Sequence, residues 1–183
     1  RTKVTGGLAL GDAGVSGDLA VAGGGLDGTL SFRPQSGDAI GFAIDLTARD
    51  AAFGGAVPIS IDRASINATG RYAKGDTRID ADISASGFEY GALYLASLAA
   101  KADIVNGRGK VTGGVAGKRA ERFALNFDAD VAPDRIAAAA RGQFAGEALT
   151  MPRRAVLTAE EDGGWRLAQS QIGFAGGYAL LEG

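Results

Sequence analysis

Apolar and polar residues alternate along most of this chain, and glycine recurs at fixed places within the alternation. The pattern apolar, any, glycine, any, apolar, small occurs at residues 4–9, 15–20 and 26–31, with an 11-residue step. It returns less regularly at 68–73, 111–116, 140–145 and 174–179. Because residues i, i+2 and i+4 of a β-strand share one face, the pattern predicts strands with an apolar face and a glycine at its centre.

Glycine inside a strand weakens it, so its recurrence needs a physical reason: a bend, a bulge or the close approach of another surface. One interpretation is a glycine-rich β-protein whose strands bend where they must. The other is a bent sheet whose concave, apolar face receives a ligand. The pattern alone leaves both interpretations open.

The clearest strand is 122–131, where Phe123, Leu125, Phe127 and Val131 point one way and the residues between them are mostly polar. The segments 40–46 and 79–83 alternate in the same way. Three turns between strands are predicted from residue types that favour turns. They are Lys74-Gly75-Asp76, Asn106-Gly107 and Pro133-Asp134.

The secondary structure or the boundaries of several segments are ambiguous in the sequence. We expect a short strand with Val57, Ile59 and Ile61, separate from the strand at 66–72. Residues 93–105 have partly helical spacing, but the Asn-Gly that follows favours a strand and a hairpin. Residues 136–144 contain four consecutive alanines, yet the preceding proline turn favours a returning strand. Shorter strands are predicted at 155–159, 165–167, 172–174 and 178–181, with a turn at Asp162-Gly163-Gly164.

Turn signals recur every 8–15 residues with no linker or shift in composition, so residues 1–183 form one continuous unit, repeat-like over 1–50. The predicted fold is all-β: an elongated, mostly antiparallel, curled sheet of about a dozen strands with an apolar concave face. Since the chain begins at Arg1 rather than Met, we expect it to be a segment of a longer protein.

The composition of the chain argues against several classes of function. The formal net charge is −2, with 19 basic and 21 acidic residues scattered along the chain, so no basic face for nucleic acid is predicted. The chain has no cysteine, and without histidine it lacks the commonest general base and metal ligand. No apolar run approaches the roughly 20 residues of a membrane-spanning helix.

The motifs with possible chemistry are weak. Gly23, Gly25 and Gly28 spell G-x-G-x-x-G, but a strand rather than a helix follows them. The stretch before Gly117-Lys118 lacks the first glycine and the Ser/Thr of a phosphate loop. Calcium at the aspartate pairs is conceivable, but solvated charges on an outer face fit them better. The pairs are Asp80/Asp82 and Asp128/Asp130. No nucleophile and base can be combined, so we expect no enzyme, cofactor or metal.

The C-terminal half resembles a known family. Asp162–Leu167 ends in Gly-Trp-Arg-Leu, Phe174–Gly183 is a glycine-rich strand, and Ile136–Gly146 is followed by Leu149-Thr150. These features resemble the TamB proteins, inner-membrane components of the translocation and assembly module, within the AsmA-like family of bridge-like lipid-transfer proteins. The resemblance is best over 66–183 and its motifs are patterned glycines.

The resemblance implies a periplasmic β-taco, anchored through another part of the parent protein. It implies a hydrophobic groove that conducts phospholipids between the inner and outer membranes of a Gram-negative cell. It further implies help in outer-membrane protein assembly, with a barrel partner that binds elsewhere on the parent. We expect the groove to bind phospholipid acyl chains through one set of apolar residues. The set is Ile40, Phe42, Ile44, Leu46, Ile79, Ile83, Phe123, Leu125, Phe127, Val131, Ile136, Phe144, Leu157, Ile172 and Phe174.

Two other classes of function remain open. A structural or adhesive β-solenoid of a secreted surface protein fits the 11-residue step and predicts parallel coils with stacked identical residues. An accessory binding domain of an enzyme would need aromatic ligand platforms, and Trp165 with four tyrosines is a sparse set. For each predicted lining residue, the alternative is an ordinary core position in a closed sandwich.

Overall fold

The computed structural model describes residues 1–12, 14–160 and 163–183, which form one open antiparallel sheet of 15 strands. Strand accounts for 78% of the structure, and the described residues contain no helix. The all-β prediction is confirmed, with 15 strands rather than about a dozen. The strands are β1 (Lys3–Gly11), β2 (Gly14–Gly23), β3 (Leu26–Gln35), β4 (Ala39–Phe53), β5 (Ile59–Ala73), β6 (Asp76–Tyr90), β7 (Leu93–Val105), β8 (Arg108–Arg119), β9 (Glu121–Ala132), β10 (Arg135–Phe144), β11 (Glu147–Thr150), β12 (Ala155–Ala159), β13 (Trp165–Leu167), β14 (Ser170–Phe174) and β15 (Gly177–Leu181).

The strands follow one another as a meander. Each strand from β1 to β10 pairs with the next one in the chain. The sheet then continues from β11 to β14 and from β14 to β15. One edge of β10 is shared, because residues 141–144 pair with β11 and residues 135–138 pair with β12. The strand pairings are antiparallel, which is not the arrangement of parallel solenoid coils. Thirteen strands lie along the main path. Their twelve spacings of about 4.8 Å make the sheet about 58 Å long.

The predicted turns are present, and the ambiguous segments are strands. Asn106 and Gly107 have φ values of 53° and 72°, as a two-residue hairpin with a type I′ turn requires. The segment 93–105 is β7, and the alanine run lies in β10 beside β9. Gly163 and Gly164 lie between β12 and β13, whereas Asp162 of that predicted turn lies outside the described residues.

A kink crosses β4 to β7 in a single line. Register pairing skips Asp50, Asp62 and Gly87, and β7 has a bulge at Ala96 against β8. The prediction of a separate strand at 57–61 is therefore wrong: Ile59–Ala73 is one strand with an interruption at Asp62. Beyond the kink the apolar face continues, because Phe88 pairs with Leu95 and Leu95 with Gly117.

The repeated glycines are required by close backbone approach. Gly17 and Gly28 have φ values of +138° and +153° within their strands, a region that side chains rarely adopt. A Cβ on Gly17 would lie 3.0 Å from Leu8 Cα, and one on Gly28 would lie 2.8 Å from Leu46 Cα. The sheet is curved here, since Cα atoms of β2 and β4 approach within 8 Å although β3 lies between them. Two spacings of a flat sheet would separate them by about 9.6 Å.

The sheet encloses almost no core. The buried residues among those described are five alanines, Gly41, Gly87 and Ser170, and no large side chain is fully buried. The accessible surface is 11,722 Å², whereas a compact protein of 18.4 kDa would expose about 8,200 Å². The alternative of a closed sandwich, in which the predicted lining residues would be core, is therefore not the observed arrangement.

A candidate lipid-binding face

Paired residues of neighbouring strands lie side by side on the same face. The strand register therefore places the apolar residues in four rows that run across one face of the sheet. One row begins at Phe42 in β4 and reaches Leu157 in β12 through paired residues. Its members are Phe42, Gly70, Ile79, Ile104, Gly109, Val131, Ile136 and Leu157. Parallel rows pass through Ile44, Leu46 and Leu125. We name the four rows the apolar strip; in the described strands it contains no charged or hydrogen-bonding side chain.

The strip is broad and accessible. Rows along a strand are about 6.8 Å apart, so four rows span about 20 Å. Its side chains are mostly half-buried, and Ile66 and Ile83 in the middle of the sheet are 38% and 39% exposed. Exposed apolar patches larger than a few hundred Å² are unusual on a soluble monomer and mark binding surfaces.

All 15 residues predicted to line the groove lie on the face that carries the strip. Ile40, Phe42, Ile44 and Leu46 are in β4; Ile79 and Ile83 in β6; Phe123, Leu125, Phe127 and Val131 in β9; Ile136 and Phe144 in β10; Leu157 in β12; and Ile172 and Phe174 in β14. Phe144 and Phe174 form an edge-to-face aromatic pair with centroids 5.8 Å apart. That acyl chains contact these residues stays a prediction.

Sequence reasoning missed at least eight further apolar residues on the same face. Those added by register are Leu8, Leu19, Leu30, Ile66, Ile104, Val111, Val115 and Leu149. A signal for some of them was present in the Asn106-Gly107 turn. Counting outward from it places Ile104 opposite Gly109 and Val111 opposite Ala102.

Phenylalanine rings cover several of the glycines on this face. A Cβ on Gly70 would meet the ring of Phe42, and one on Gly113 would lie 2.6 Å from Phe127 Cζ. The ring of Phe123 lies over Gly117 in the same way, at 3.1 Å. The glycines of these pairs therefore leave no gaps in the apolar face. Each allows a ring to lie flat across the neighbouring strand, which produces a smoother apolar surface.

The opposite face is polar and carries ion pairs within and between strands. Lys101 Nζ lies 2.9 Å from Asp82, and Arg78 lies 3.1 Å from Asp80. Arg154 bonds the carboxylate of Asp128, lies 3.4 Å from Asp130 and donates to the carbonyl of Ala137 at 2.9 Å. Both aspartate pairs considered for calcium are thus paired with cations. These contacts are half-exposed, so each contributes at most about 1 kcal/mol.

Two groups on the polar face have shifted pKa values. Hydrogen bonds from Ser31 and then Arg33 lower the pKa of Asp18. The hydrogen bond to Asp80 raises the pKa of Arg78, with Asp103 adding to the effect. Both groups are charged at neutral pH and lie on the face opposite the strip.

Surface depressions of about 300 to 560 Å³ are lined mainly by polar-face residues. The apolar strip, in contrast, is an open surface on which a ligand would lie along the sheet. The described residues contain no helix that could span a membrane. Comparison of the chain with protein-family models, curated proteins and solved structures found no match.

Proposed function

We propose that this chain is a lipid-conducting segment of a periplasmic bridge, which carries phospholipids between the inner and outer membranes along its apolar strip. The observation that supports this most is four uncharged rows that cross most strands of a single open sheet about 58 Å long. The family resemblance adds the periplasmic location and a role in outer-membrane protein assembly to the same proposal. Nothing in the proposal requires catalysis.

The strip offers the physical property that lipid transfer needs. Each methylene removed from water contributes about 0.8 kcal/mol, so a two-tailed lipid with about 30 methylenes faces a cost of roughly 24 kcal/mol in water. An apolar strip lowers this cost at every position along its length. Its rows contain side chains of similar character in every strand, so no position is a deep trap and a bound lipid can shift from strand to strand.

The single tryptophan allows a direct test. Trp165 lies in β13, is 46% exposed and pairs with Ala159 on the same face as Leu157 and Leu167. Phospholipid with brominated acyl chains is expected to quench Trp165 fluorescence, because bound chains would lie against the ring. The measurement is a titration of the purified chain with such lipid in vesicles.

The matched control moves the tryptophan to the other face of the same strand. In the double variant Trp165→Phe/Arg166→Trp, the new ring stands on the polar face, because Arg166 pairs with Thr158. This variant is expected to show little quenching. Equal quenching of the two proteins, or none in either, would count against the proposed function.

A further inference from the structure

A depression of about 560 Å³ lies on the polar face where β7 to β10 reach one end of the sheet. Ala116 and Ala124, which pair with each other, leave space at its floor. Its walls are formed by longer polar side chains that register brings together. They are Tyr94, Lys118, Arg122 and Gln143.

The charge in this depression is uncompensated. Lys118 and Arg122 pair directly across β8 and β9, and like charges in opposite positions destabilise a sheet. Several other cations on the polar face contact carboxylates, as Lys101 does with Asp82, although Arg49 and Arg63 also pair across two strands without such a contact among the described residues. Among the residues that the structure describes, no carboxylate lies within 4 Å of the charged groups of Lys118 or Arg122. The next pair towards the turn consists of one cation, Arg119, and one acid, Glu121.

We propose that this depression is a binding site for a phosphate group. Lys118 and Arg122 would supply charge-assisted hydrogen bonds, and the guanidinium can contact two phosphate oxygens together. The phenol of Tyr94 and the amide of Gln143 can each donate a further hydrogen bond. A bound phosphate would also relieve the repulsion between the two cations.

The phosphate can come from a lipid headgroup or from a soluble phosphate ester, and the lipid source rests on the proposed function. Lys118 and Arg122 form the next-to-last pair before the turn at the sheet's rim, and the pair on their inner side, Gly117 and Phe123, lies on the apolar face. A phospholipid with its chains beside Phe123 would therefore place its phosphate at this rim. The long side chains of Lys118 and Arg122 can extend towards it.

The site is tested first without lipid. Titration of ¹⁵N-labelled protein with glycerol 1-phosphate is expected to move the amide signals of Lys118 and Arg122 in a saturable way. The variant Lys118→Gln/Arg122→Gln, checked for a folded spectrum, is expected to lose saturation. Absence of a saturable shift in the wild-type protein at these positions would overturn the proposal.

The source is tested with brominated lipids and Trp165 quenching. If the phosphate is a headgroup, Lys118→Gln/Arg122→Gln binds phosphatidylglycerol at least about 10-fold more weakly and diacylglycerol unchanged. The control Lys74→Gln/Arg108→Gln removes two charges at the opposite rim and is expected to stay within about twofold of wild type. An equal loss in the control would overturn the headgroup site.

A saturable glycerol phosphate shift with unchanged phosphatidylglycerol binding would assign the site to soluble phosphate. If lipid fails to quench Trp165 while the shift persists, the proposed function fails and the phosphate site stands.

Discussion

Leu125→Asp is expected to weaken phospholipid binding at β9 about 100-fold. Leu125 lies in the fourth row of the apolar strip, between Val115 of β8 and Gly142 of β10. A carboxylate there keeps its water and prevents about four methylenes from contacting the sheet. At about 0.8 kcal/mol each, the loss is about 3 kcal/mol, which corresponds to roughly 100-fold in affinity. The measurement is quenching by brominated phospholipid of the tryptophan in a Phe127→Trp/Trp165→Phe background, which places the ring two residues from position 125 on the same face of β9.

The adjacent residue supplies the control for this prediction. Asn126→Asp adds the same charge one position along β9, but on the polar face opposite Gly114. Its lipid affinity is expected to stay within about twofold of wild type. Leu125 is only half-buried, so both variants should fold, which circular dichroism checks. The same loss of affinity in both variants would mean that the strip is not the binding surface.

Gly28→Ala is expected to lower the free energy of unfolding by about 2–4 kcal/mol. Gly28 has a φ of +153°, and an added Cβ would lie 2.8 Å from Leu46 Cα and closer still to the carbonyl oxygen of Asp45. Both neighbours belong to β4, whose backbone cannot move without disturbing β5. Urea denaturation, followed by circular dichroism, measures the change.

A glycine in a regular strand is the control for this substitution. Gly114 in β8 does not have a positive φ, and a Cβ there would first meet the side-chain oxygen of Asn126 at 3.1 Å. Because that amide can rotate, Gly114→Ala is expected to change stability by less than about 1 kcal/mol. If Gly28→Ala proved equally mild, the glycine repeat would not reflect close backbone approach.

Much of the strand pattern could be predicted because each strand carries its own local signal. In β9 every second residue is apolar, and a Pro-Asp turn follows, so strand, face and hairpin could all be inferred from about a dozen residues. The Asn106-Gly107 turn likewise identified β7 and β8 as partners, although the spacing within β7 was partly helical.

The kink could not be predicted, because it changes the alternation within a strand. Ile61 and Ala64 share the apolar face although they are three residues apart, since Asp62 is an extra residue. A period of two therefore divides β5 into two strands. The ring-covered glycines were missed for a related reason. The alternation shows a small residue at Gly113, whereas only the register shows that Phe127 lies across it.

The claim that lipid binds one face and not the other is tested most directly by photo-crosslinking in cells of a Gram-negative bacterium. Benzoylphenylalanine would be placed in turn at Phe127 and Phe144 on the apolar face and at Asn126 and Arg141, which pair with each other, on the polar face. We expect phospholipid adducts at 127 and 144 and none at 126 and 141. Adducts of equal yield on both faces, or none at 127 and 144, would contradict it.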